Sequence, residues 1–90
     1  MKVAFLTISG YIQGVGYRQF VKKEARKLGL TGWVQNMIDK TVEVKVFGKQ
    51  ENIERLIALC KKGPFLAEVK EVQVEWAEED NPPSDFTIAS

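Results

Sequence analysis

Three glycines within seven residues, followed closely by an arginine, set apart the stretch GYIQGVGYRQF, Gly10 to Phe20. Gly14 and Gly16 can take positive φ and let a ligand come close to the peptide groups. A helix starting just after them offers unpaired N–H donors and the positive end of its dipole. A loop of this kind, spanning Gln13, Gly14, Val15, Gly16, Tyr17 and Arg18, can hold a phosphate-like anion. It can equally be a structural turn. Arg18 would stand at the helix start, where the dipole disfavours a cation unless an anion lies between them. Its planar fork can grip phosphate oxygens in pairs. An arginine simply lying over its helix satisfies the same electrostatics.

Two other phosphate-binding patterns fail. Gly14 and Gly16 begin GxGxxG, but Gln19 stands at its last position, and no GK[ST] occurs in the loop. Asn36 is a second candidate: its amide could orient a small ligand or a water. Composition alone favours a turn-initiating asparagine there, as it favours turn chemistry for Asp39 and a solvated strand position for Glu43.

The elements that would position these residues follow from periodicity. From Val3 to Ile12, Ala4, Leu6, Ile8 and Ile12 alternate as in a strand. Tyr17, Phe20, Val21, Ala25 and Leu28 then form one helical face. KLGL closes that helix, with Gly29 at a left-handed cap and Leu30 folding back. LTGWVQN predicts a second strand and NMIDKT a turn. TVEVKVFG predicts a third strand with Val42, Val44 and Val46 inward and Glu43, Lys45 and Phe47 outward. Ile53, Leu56, Ile57 and Cys60 mark a second helix over 51–62, stopped by Gly63 and Pro64. A fourth strand runs from Val69 to Trp76, with Val69 out of phase, which predicts a bulge or a later start. FTIAS supplies a short edge strand through Phe86 and Ile88. The order βαββαβ plus a short terminal strand predicts an α+β, ferredoxin-like split βαβ sandwich with two helices on one face of an antiparallel sheet.

Composition narrows the chemistry. Ninety residues fit one domain, 1–90. Thirteen basic against twelve acidic residues leave a net charge of +1, so any anion site must be local and nucleic acid is disfavoured. The absence of histidine removes His-based triads, and the single Cys60 rules out an internal disulfide. At an apolar helical position, Cys60 is read as a small buried hydrophobe. No segment approaches the ~20 apolar residues of a membrane span, and a cytoplasmic location is expected.

GYIQGVGYR followed by GLTGWVQNMIDKTVEVKVFG resembles the two signature blocks of the acylphosphatase family, here Gly10 to Arg18 and Gly29 to Gly48. Chain length and element order match the whole family domain. The resemblance implies hydrolysis of acyl phosphates to a carboxylate and inorganic phosphate, with no metal or cofactor. It implies that the loop Gln13 to Arg18 cradles the phosphoryl group. Arg18 then binds it, and Asn36 positions the attacking water. Three positions depart from the family pattern: Lys40 where glycine is usual, Tyr17 where phenylalanine is common, and Gln35 where a basic residue is frequent. If the turn needs a left-handed residue at Lys40, that costs roughly 1–2 kcal/mol; otherwise the turn differs.

Two other classes remain. An open sheet can stack bases, but KTVEVKVFG offers only Phe47 for that. A non-catalytic anion-binding module could carry the same loop, and the family domain also occurs inside larger carbamoyl-phosphate-handling enzymes. Arg18 and Asn36 together favour catalysis, and the 90-residue chain beginning at methionine favours a free-standing enzyme. The expected partner is a small acyl phosphate, with no nucleic acid and no membrane, and the expected state is a monomer.

Overall fold

Alternating apolar residues build β1 (Lys2–Tyr11), and the change to helical spacing begins α1 (Tyr17–Lys27). The computed structural model describes all 90 residues and continues with β2 (Thr31–Asn36), β3 (Val42–Gly48), α2 (Gln50–Lys62), β4 (Glu68–Glu78) and β5 (Phe86–Ile88). The strands stand in the order β4-β1-β3-β2-β5. β1 runs antiparallel to β3 and β4, and β2 antiparallel to β3, the ferredoxin-like arrangement. Both helices pack on one face. Seventeen buried residues form the core there, with Leu6 opposite Val44 and Ile8 opposite Val42 beneath Tyr17, Val21 and Leu56.

The sheet is mixed rather than wholly antiparallel, because β5 pairs with β2 in parallel. β4 ends at the edge and end of the sheet where β1 begins, with Lys2 opposite Glu78. The connection to β5 must cross four inter-strand spacings, about 19 Å. Its seven residues, 79–85, reach about 23 Å. That suffices to cross the end of the sheet and too little to climb it as well, so β5 starts at that end and runs alongside β2.

Local signals hold at three points. Gly29 takes φ 69°, its N–H donates to the Arg26 carbonyl and the Leu30 N–H to Ala25, the hydrogen-bond pair of a Schellman cap. Opposite β1 the register of β4 skips Lys70, from Glu71 facing Ser9 to Val69 facing Gly10. This bulge turns Val69 back onto the core with Val72 and Val74. Phe47, expected outward with Lys45, does lie on the helix-free face, yet it is only 5% exposed. It pairs with the buried Val3 at the end crossed by 79–85. Lys45 Nζ sits 5.2 Å from the Phe5 ring and 5.3 Å from Phe47, and bonds Glu79 at 3.0 Å. That cation is held by the protein itself, and Phe47 is not free to stack a base.

Candidate active site

The loop between β1 and α1 sits at the end of the sheet where β1 and β2 finish. Gly14 and Gly16 adopt left-handed φ of 77° and 81°, a conformation that costs any residue with a Cβ. Gly16 is the N-cap of α1. It has no side chain to cap the helix, and no acidic residue stands in the first turn. The first helical hydrogen bond runs from Phe20 N–H to the Gly16 carbonyl at 3.0 Å. None of the amide N–H groups from Gly14 to Gln19 donates to another protein group. A helix start ordinarily spends such donors on an N-cap side chain. Here they are left unpaired at the positive end of the helix dipole, where an anion can be held.

Arg18 lies half-buried in this first turn and forms no ion pair with any carboxylate. With Gly14, Gly16, Gln19, Ile12, Tyr17 and Ile88 it lines a cavity of about 180 Å³. A guanidinium without a carboxylate partner, at the positive end of a helix, is well placed to pair with an added anion.

The Tyr17 side chain takes no part in this cradle beyond the floor. Its ring is buried and its hydroxyl donates to the Cys60 carbonyl at 2.8 Å. That carbonyl would meet the N–H of residue 64 in a continuing helix, but Pro64 has none. Tyr17 therefore caps α2 and pins the first turn of α1 to the core. Burial raises its phenol far above the usual value. Burial also pushes the Cys60 thiol up to about 12, so Cys60 is no nucleophile at neutral pH.

Asn36 ends β2, facing Val42 across the strand pair and sharing the helix-covered side with Val34. It does not line the Arg18 cavity, although it stands at the same end of the sheet. Its Oδ1 is shielded from solvent and has no hydrogen-bond partner in the protein. Buried polar atoms of this kind are rare unless they meet a water or a ligand. Gln13 links the two candidates. Its Nε2 donates to the carbonyls of Met37 at 2.9 Å and Thr41 at 3.1 Å, tying the loop to the turn that follows Asn36. The side-chain nitrogen of Gln13 is thus committed to the turn, and Gln13 does not line the Arg18 cavity.

That turn is tight. Met37 N–H donates to Thr41, Lys40 N–H donates to Met37, and the Asp39 carboxylate accepts from the Thr41 amide and hydroxyl. Lys40 takes φ 78°, so the left-handed geometry is kept and a lysine bears its strain.

The sequence did not point to β5 as part of the site. The Ala89 N–H donates to Val34 at 2.8 Å and the Asn36 N–H to Ser90 at 3.1 Å, which extends the parallel ladder past Ile88. At its start, Asp85 accepts two hydrogen bonds from Arg26, at 3.1 and 2.7 Å, and one from the Phe86 N–H. The Phe86 amide first, then the guanidinium, hold its carboxyl below the usual range. No three His, Cys, Asp or Glu side chains come together in a metal-holding group. The assembled chemistry is a set of anion donors beside an unpaired arginine, with a shielded amide oxygen nearby.

The family model described as Acylphosphatase matches residues 4–88. An acylphosphatase of Thermococcus kodakarensis is 49% identical over 75 residues, 83% of this chain and 82% of that one. One of Pelotomaculum thermopropionicum is 43% identical over 86 residues, 96% of this chain and 94% of that one. The crystal structure of acylphosphatase from Bacillus subtilis superposes with a TM-score of 0.96 at 30% identity, covering 100% of both chains.

Proposed function

The chain belongs to the acylphosphatase family and is an enzyme hydrolysing acyl phosphates, and from that premise we propose how its own residues perform the reaction. The phosphoryl oxygens accept hydrogen bonds from the free amides of the 13–18 loop and from the Arg18 guanidinium. A water held by Asn36 Oδ1 attacks phosphorus in line with the bond to the acyl oxygen. As the new P–O bond forms, the old one breaks and its electron pair leaves with the carboxylate. The water proton passes to a phosphoryl oxygen, giving a carboxylate and inorganic phosphate.

The chemistry makes small demands on the protein. Phosphoryl transfer needs chiefly positioning and charge stabilisation. The leaving carboxylate has a conjugate-acid pKa of about 4, so no general acid is required. Proximity of an oriented water supplies much of the remaining acceleration. Arg18 and the amide donors provide the positive field that a metal would otherwise supply, so the mechanism uses no metal and no cofactor.

The observation that carries this assignment is the run of undonated amides from Gly14 to Gln19 beside an unpaired Arg18. We extend the proposal to one domain over 1–90 acting as a monomer on a small acyl phosphate in the cytoplasm, without nucleic-acid or membrane partners. The net charge of +1 argues against a nucleic-acid partner, and no helix is long and apolar enough to cross a membrane. The test is release of inorganic phosphate from benzoyl phosphate in excess EDTA. Turnover undiminished by the chelator is expected. Loss of activity on chelation would overturn the metal-free mechanism.

A further inference from the structure

We infer that Ile88 is the wall against which the acyl group of the substrate packs, so that the enzyme selects short apolar acyl groups over anionic ones. The inference rests on the assignment of the loop and Arg18 as the phosphoryl site. Six of the seven residues lining that cavity come from 12–19, and Ile88 is the one contributed by another element. With its phosphoryl oxygens drawn to the loop amides, a substrate can lay its acyl group along the rest of the cavity, against Ile88. Apart from Arg18 no charged side chain lines that space. At about 180 Å³ it falls below the roughly 300–1,000 Å³ typical of drug-sized ligands, a size suited to small substituents.

The wall is fixed rather than adjustable. Ile88 is half-buried and stands opposite Val34 in the parallel register. The far end of β5 is held by Ala89 on Val34 and by Asn36 on Ser90. Its near end is held by the Arg26–Asp85 pair and by the Gly32 N–H on the Asp85 carbonyl at 3.0 Å. The neighbouring cationic groove of Lys22, Lys23 and Arg26 is a separate opening that shares only Gln19 with the cavity. Arg26 there is already paired with Asp85. A second anionic group on the substrate would have to leave the cavity to reach it.

The test compares kcat/KM for acetyl, butyryl and succinyl phosphate in the wild type, Ile88→Val and Ile88→Ala. Butyryl and succinyl phosphate share a reach and differ at the tip, one a methyl and the other a carboxylate. In the wild type, butyryl phosphate should exceed acetyl phosphate by about fourfold, the value for two half-buried methylenes. It should also exceed succinyl phosphate. Ile88→Val should shrink the butyryl preference and Ile88→Ala should bring the ratio within about twofold of unity. Binding of inorganic phosphate, followed by calorimetry, should change less than the butyryl-to-acetyl ratio in both variants, because phosphate has no acyl group. An unchanged ratio in Ile88→Ala, or a wild-type preference for succinyl phosphate, would overturn the inference while leaving the phosphoryl site intact. Wild-type inactivity on all three substrates would overturn the phosphoryl site itself, and this inference with it.

Discussion

Replacing Lys40 with glycine should stabilise the protein by about 0.5–1 kcal/mol. Lys40 holds φ 78° in the turn between β2 and β3, a conformation costing a residue with a Cβ about 1–2 kcal/mol. Glycine removes that cost but loses more backbone freedom on folding, roughly 0.5–1 kcal/mol. The difference is the expected gain. Nothing else changes, because the Lys40 side chain is exposed and makes no hydrogen bond or ion pair, and its backbone N–H would still reach Met37. For a chain of this size the gain corresponds to a rise in Tm of about 2–8 °C. Urea unfolding should show a higher midpoint with an unchanged slope. Lys40→Ala removes the side chain and keeps the strained backbone, so it should stay within about 0.5 kcal/mol of the wild type. A Lys40→Gly midpoint at or below the wild-type value would refute the claim that this turn stores strain.

Tyr17→Phe should cost about 1–3 kcal/mol, because the Cys60 carbonyl loses its donor and Pro64 cannot replace it; a midpoint equal to the wild type would contradict the capping role. Thiol reagents at pH 8 should leave Cys60 unmodified in the folded protein and label it on denaturation, since burial pushes the thiol up to about 12. Asp39, Glu78 and Asp85 are all held below their ordinary pKa values, Asp39 by the Thr41 hydroxyl and amide, Glu78 by the N-terminal ammonium, Asp85 by the Phe86 amide and Arg26. Because folding depresses these values, their stabilisation is fully present above about pH 5 and drains away as pH falls through about 4 and below. Urea midpoints at pH 7, 5 and 3 should drop only at the acid end, and Asp85→Asn should make that drop shallower.

Much of the architecture is legible in local pattern. The alternation of Ala4, Leu6 and Ile8 specifies a face of β1, and the phase error at Val69 marks the bulge facing Gly10. KLGL spells its own cap. Arg18 and Asn36 are singled out as candidates only by their two motif blocks, since neither residue type distinguishes a site from a surface on its own. What stayed hidden depends on partners distant in the chain. Gln13 bonds carbonyls 24 and 28 residues away, and nothing in a glutamine announces that. Period-two alternation places Phe47 on the helix-free face but cannot say that this end of the face is covered. A three-residue strand carries too little pattern to reveal that β5 runs parallel to β2, and so the place of Ile88 in the Arg18 cavity is not legible in the sequence.

Binding and turnover, separated, test the central claim most directly. Inorganic phosphate affinity by calorimetry and kcat on benzoyl phosphate should be measured for Arg18→Ala and Asn36→Ala. Arg18→Ala should weaken phosphate binding and lower kcat together, each by on the order of 10²-fold, because it removes charge-assisted contacts to the phosphoryl group. Asn36→Ala should lower kcat by on the order of 10²-fold while phosphate binds as in the wild type, because it removes only the oriented water. Full turnover in either variant, or a loss of phosphate affinity in Asn36→Ala as large as in Arg18→Ala, would contradict the division of labour proposed for the site.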